Sequence, residues 1–193
     1  IFDVVEKDCG QYDTVTEVMW VTGAALFIRL ADYREVGGLD GHFFAHMEEI
    51  DLCWRLRSRG KKLVCIPQSV VYHVGGATLK KENPRKTFLN FRNNLLMLYK
   101  NLPDKELEHV LFIRGILDRV AALVFYLKKD RANARAVMQA RREFEDIRYS
   151  FAASRIENIM KSTDEMIPER THFSILMKYY LLGKKHFSQL KLF

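Results

Sequence analysis

Apolar side chains in the first 83 residues come in short blocks. Val18 to Ile28 is rich in Val, Ala, Leu and Phe, with Trp20 and Gly23 inside, and predicts one or two buried strands joined at a bend. Lys62 to Ile66 and Ser69 to Val74 predict two more short strands, interrupted by Pro67. Between these blocks, Ala31 to Val36 predicts a short helix that stops at Gly37-Gly38, and Gly37, Gly38 and Gly41 bracket Asp40 in a turn-rich loop. Glu48 to Arg59 has helical character, with Asp51 and Arg55 four residues apart and Gly60 placed to end the helix.

From Pro84 onward the spacing changes to three and four. Pro84 suits a helix start, and Phe88, Phe91, Leu95 and Leu98 carry one apolar face as far as Pro103. Asp104 is placed to cap a second helix bearing Leu107, Val110, Leu111, Leu117, Val120, Ala121 and Val124. A third runs from about Arg131 to Tyr149 and a last one from about Phe173 to Leu182. The expected architecture is therefore α/β over residues 1–83 and all-α over residues 84–193. The longest apolar run, Val120 to Leu127, is far shorter than the roughly 20 residues that cross a bilayer.

Composition narrows the class. The chain has 193 residues, 48% hydrophobic and 28% charged, which suits a packed core and argues against wholesale disorder. Three cysteines, Cys9, Cys53 and Cys65, form neither a disulfide framework nor a zinc motif, and a reducing cytosol is the simplest compartment. The first residue is Ile1, no signal pattern follows, and the chain reads as a fragment of a longer protein. The net charge of +7 is uneven: residues 1–83 sum to −2 and residues 84–193 to +9. A basic half suits an anionic partner or simply a solvated helical surface. Nucleic acid is disfavoured, because no binding motif is present and Phe88, Phe91 and Phe125 sit at core spacing.

Two clusters carry candidate chemistry. Glu48, Glu49 and Asp51 gather at a helix start just after Phe43-Phe44. Carboxylates there gain from the helix dipole, and Asp51 has Arg55 as a partner. A carboxylate left unpaired beside a cleft would instead take a proton from a substrate hydroxyl. Further on, Tyr72-His73-Val74-Gly75-Gly76 ends a predicted strand, with Thr78 following. His73 there is a metal ligand, a phosphate contact or a structural hydrogen-bonding residue.

The order of these features is more specific than any one of them. Trp20-x-x-Gly23-Ala24, Val36-Gly37-Gly38-Leu39-Asp40, Phe43-Phe44, Glu48-Glu49-Ile50-Asp51-Leu52-Cys53-Trp54-Arg55, Gly60, Pro67, His73-x-Gly75-Gly76 and Phe88-Leu89-Asn90-Phe91-Arg92-Asn93-Asn94 follow one another. Over residues 18–102 this resembles the C-terminal half of the catalytic domain of family 2 glycosyltransferases of the GT-A fold, in particular rhamnosyltransferase-like members that build bacterial polysaccharides. The resemblance implies an inverting transfer from a nucleotide-sugar donor to a glycan or lipid-linked acceptor. It implies Glu49 as the general base, where such enzymes usually carry Asp, with Glu48 orienting the acceptor or its helix. Trp20, Gly23 and Ala24 would line the acceptor side, Asp51 and Arg55 would be partners, and Arg92 would reach donor phosphates. His73 matches a histidine that completes a divalent site, for Mg²⁺ or Mn²⁺, in some members. The Asp-x-Asp motif of the donor half is absent, so the chain is expected to hold the acceptor half alone. The aromatic and lysine-rich tail from Phe173 to Phe193 suits the inner membrane surface, or packing back onto the helices. The competing reading is a non-catalytic basic module that binds an anionic glycan, a membrane surface or a partner protein.

Overall fold

The computed structural model describes residues 6–73, 83–163, 167–171 and 174–190. In chain order the elements are β1 (Thr16–Glu17), α1 (Leu30–Glu35), α2 (Glu48–Ser58), β2 (Val64–Cys65), α3 (Pro84–Asn101), α4 (Asp104–Leu127), α5 (Arg131–Ile147) and α6 (Ala152–Met160). No helix among the described residues is long and apolar enough to cross a membrane.

The expected strands are mostly absent from the described residues. β1 and β2 pair antiparallel, Thr16 opposite Cys65 and Glu17 opposite Val64, and the Val18 amide adds a bond to the Leu63 carbonyl at 2.9 Å. The remainder of Val18 to Ile28 is loop and a 3₁₀ turn, Gly23–Ala25, and residues 69–73 form no strand. A strand exists only against a neighbour, and a two-stranded ribbon is marginal without more. Val74, Gly75, Gly76 and Thr78 lie outside the described residues.

The helices form where the spacing places them. Asn83 caps α3, its side-chain oxygen accepting from the Arg85 amide at 2.9 Å, with Pro84 in the first turn. α2 ends in a Schellman turn: Gly60, at φ +75°, donates to the Arg57 carbonyl, and Lys61 donates to Leu56. At the start of α4 the capping position is Pro103 rather than Asp104, whose carboxylate instead receives a bond from Arg155. α5 stops at Ile147 in a 3₁₀ turn, and α6, which the apolar spacing does not predict, follows. In the tail, the described residues form a π-helical turn, Met177–Leu181, and a 3₁₀ turn, Phe187–Leu190. The tail meets the start of the chain: the Phe187 ring lies tilted against that of Tyr12, centroids 6.2 Å apart, and the Ser188 amide donates to Glu6.

Two cores flank α2. The smaller gathers Val36, Leu52, Cys53, Leu56 and Leu63. The larger joins Phe43 and Trp54 to Leu95, Leu96, Tyr99, Leu111, Phe144 and Phe151, so it runs across the step from residue 83 to residue 84. Burial on both sides leaves every residue of α2 from Asp51 to Ser58 buried.

Candidate active site

Beneath the site lies a buried ionic network. Asp51 is fully buried, and its Oδ2 accepts from Arg55 Nε at 3.0 Å, Arg55 Nη2 at 2.8 Å and Lys100 Nζ at 2.9 Å, while Oδ1 accepts from Asn101 Nδ2 at 2.8 Å. Lys100 Nζ also reaches Asp40 at 2.8 Å, and Arg55 donates to the carbonyls of Val36 and Gly38. Two anions thus balance two cations, Asp51, Arg55 and Lys100 buried and Asp40 partly so, each with several hydrogen bonds, which such a burial requires. Burial alone would raise the Asp40 carboxyl, but Lys100 and the His42 amide outweigh it and hold it at about 2. This network fastens the Gly37-Gly38 loop and α3 to α2, and both carboxylate oxygens of Asp51 are engaged in it.

Above the network, the chain enters α2 through a strained loop. Phe44, His46 and Met47 have φ of 62°, 71° and 73° without being glycine. Phe44 sits at the centre of a γ-turn of the rarer hand, closed by the Ala45 amide on the Phe43 carbonyl at 2.7 Å. Asn93 of α3, fully buried, holds this shape: its Nδ2 donates to the carbonyls of Phe43, Ala45 and His46 at 2.8, 2.8 and 2.9 Å. Beside it, Arg92 donates to the His42 carbonyl at 3.0 Å and pairs with Glu143 at 2.7 Å. Arg92 therefore ties the loop to α5. It also lines a cavity of about 510 Å³ with Phe44, Arg85, Phe88 and Arg135.

The loop delivers Glu48 and Glu49 at the first turn of α2. One oxygen of each, Oε2, is buried with no hydrogen-bond partner, and so is His46 Nε2. Burial pushes the Glu49 carboxyl up from its usual range, and the Glu48 carboxylate adds to that, against a backbone hydrogen bond that pulls it down. Burial likewise lowers His46, and the Lys86 charge adds to the effect. A half-buried carboxylate with an unsatisfied oxygen and a raised proton affinity is equipped to take a proton from a hydroxyl.

The segment from Val21 to Gly23 runs along the same face of α2. A Cβ on Gly23 would stand 3.8 Å from Glu49 Cβ, and the Val21 carbonyl lies 4.0 Å from Cys53 Sγ, one turn below. Gly23 thus adjoins Glu49, with Ala24 in the same turn; Trp20 and Ala24 are exposed. His73 is exposed at the end of a described stretch. Among the described residues, no group of three or more His, Cys, Asp or Glu is placed to hold a metal ion. A second cavity, of about 730 Å³, lies over Gly37, Gly38 and Asp40, and a wider one, of about 1020 Å³, lies between α4 and α5 away from the loop; none of the three is lined by Glu48 or Glu49.

The residues that the sequence reading passed over are Lys100, Asn101 and His46, and the clamp role of Asn93. A signal for the first two exists: Asn93 and Lys100, like Asn94 and Asn101, stand seven apart among the apolar positions Leu95, Leu96, Met97 and Leu98 of α3, which puts each pair on one side of the helix.

Comparison with known proteins gives relatives of one activity class. The rhamnosyltransferase WbbL of Escherichia coli (strain K12) is 33% identical over 69 residues, which are 36% of this chain and 25% of that protein. The pre-mycofactocin glycosyltransferase of Mycobacterium tuberculosis (strain CDC 1551 / Oshkosh) is 31% identical over 141 residues, 67% of this chain and 29% of that protein. The N-acetylglucosaminyl-diphospho-decaprenol L-rhamnosyltransferase of the same strain is 38% identical over 56 residues, 29% of this chain and 18% of that protein. No family model matches, and no solved structure matches. The chain spans between 18% and 29% of the length of these relatives. What it is similar to, at low identity, is a segment of glycosyltransferases.

Proposed function

We propose that this chain is the acceptor side of an inverting glycosyltransferase of family 2, with Glu49 as the general base. The observation that carries this reading is the desolvated, unsatisfied Glu49 carboxylate at the mouth of a strained loop. The names of the similar proteins support its activity class, glycosyl transfer. The acceptor hydroxyl attacks the anomeric carbon of a nucleotide sugar as its proton passes to Glu49, and the bond from that carbon to the diphosphate breaks on the opposite face. Glu48 raises the proton affinity of its neighbour and orients the acceptor, and Gly23 leaves bare backbone beside the carboxylate for the incoming sugar. Trp20 and Ala24 extend the acceptor surface. Mg²⁺ or Mn²⁺ would neutralise the leaving diphosphate. The described residues offer no complete ligand set for that ion, and His73 by itself does not make one. The donor is a nucleoside diphosphate sugar and the acceptor a glycan or a lipid-linked glycan, with the work done at the inner face of the cytoplasmic membrane.

The test is Glu49→Gln in a protein that joins this chain to a donor-binding half. Turnover should fall by at least about 100-fold with donor binding little changed. The parent should lose activity as pH drops through the raised Glu49 value, above the ordinary 4.5, because only the ionised carboxylate accepts the proton. That acid limb should vanish in the Gln protein. Parent-like turnover in the Gln protein would remove Glu49 from the role.

A further inference from the structure

α4 is built with its large apolar side chains outward. Its buried positions are Leu107, Leu111, Gly115, Asp118 and Ala122. Over its second half the inner face is thus glycine, an acid and alanine. At Gly115 an added Cβ would lie 3.2 Å from the Arg119 guanidinium and 3.4 Å from that of Arg141. Asp118 is buried between Arg114 and Arg141, each at 2.9 Å. The opposite face carries Phe112, Ile113, Ile116, Val120, Leu123 and Leu127, which are between 41% and 71% exposed. A surface helix in water has this pattern the other way round, and an apolar stripe of this length on a protein surface marks a contact face.

The charge around the stripe selects the occupant. Between Phe112 and Leu127 the only acid is Asp118, and it is buried and paired, so the exposed face has no negative charge. Arg119 flanks the stripe, and at its end Lys128, Lys129, Arg131 and Arg135 are all exposed. Asp130 beside them is occupied as the cap of α5, accepting from the Asn133 amide at 3.1 Å. A second copy of the chain would bring these same cations together. An anionic lipid surface neutralises them while the stripe enters the acyl boundary. The helix is about 36 Å long at 1.5 Å per residue, and it does not have the apolar length to cross a bilayer, so it lies along the surface. α4 packs mainly on α5, which leaves this outer face clear of α2 and its carboxylates.

We infer that the outer face of α4, with its rim of Arg119, Lys128, Lys129, Arg131 and Arg135, docks on an anionic lipid surface. The inference does not depend on glycosyl transfer. Its test is flotation of the 193-residue chain with vesicles of phosphatidylglycerol and phosphatidylcholine, against phosphatidylcholine alone, at low and high salt. The chain should float with the anionic vesicles, and less so at high salt. Replacing two exposed side chains, Ile116→Gln with Leu123→Gln, should lower the partition coefficient by about tenfold or more with the melting temperature kept. Lys128→Gln with Lys129→Gln and Arg135→Gln should remove the preference for the anionic lipid. Three outcomes overturn the proposal: no flotation of the parent; equal flotation of parent and apolar variant; or binding that survives the α4 changes and disappears when residues 174–190 are deleted. A concentration-dependent dimer that the same α4 changes abolish, without vesicle binding, would give the face to a second copy instead.

Discussion

Asn93 has two amide hydrogens and three carbonyls within 2.9 Å, so its donors are shared among them, and the Phe43 carbonyl takes the Ala45 amide as well, at 2.7 Å. Those carbonyls point the same way only because Phe44, His46 and Met47 adopt positive φ, and each such residue costs on the order of 1 kcal/mol or more. The amide therefore stabilises a conformation the backbone would otherwise leave, and that conformation aims Glu48 and Glu49. Asn93→Asp keeps the shape and turns donors into acceptors. It should lower stability by about 2–4 kcal/mol, more than Asn93→Ser does, since it sets a carboxyl against three carbonyls in a buried place. Thermal melting of the two proteins decides it, and an Asp protein that melts with the parent would mean the loop holds itself.

At the scale of elements, α2 and α3 are joined through charge as much as through packing. Asp51→Ala would leave the buried Arg55 without an acid and Lys100 with Asp40 alone, at a cost of about 3–5 kcal/mol. Adding Lys100→Met should recover part of that loss, because without Asp51 the network holds two cations against Asp40 alone and the change restores the balance; losses that simply add in denaturant titrations would refute the coupling. The same two helices show how much a sequence can disclose. The start of α3 at Pro84 and the end of α2 at Gly60 follow from local chemistry, and the acids at the head of α2 are visible as a cluster, whereas the entry into α2 through Met47 has no side-chain cap. What they touch is not visible, because Asn93 and Lys100 find partners about 50 residues away. The apolar blocks rich in Val predict strands, but a strand is a property of a pair, and only β1 and β2 pair among the described residues. α6 escaped because its buried face carries Arg155 and Asn158, which bond to the Tyr99 carbonyl and to Asn101, so its core side looks polar.

At the scale of the molecule, α2 is shared by two cores, and the larger of them spans the α/β and helical parts. The catalytic carboxylates proposed above thus sit on the most enclosed element of the chain, held by both parts together. That placement has a consequence for the thiols. Cys9 and Cys65 are exposed and Cys53 is buried in the smaller core, where burial also pushes its thiol up. An alkylating reagent should modify two sulfurs at once and the third only when α2 comes away from the loop that covers it. In the absence of denaturant, labelling of Cys53 is expected to lag by about 10³-fold or more, at a pace set by how often that region opens. Mass spectrometry of the labelled chain over time would show two steps, and a single step for all three cysteines would contradict the enclosure of α2. The chain carries, in one native cysteine, its own clock for the breathing of the helix that bears Glu49.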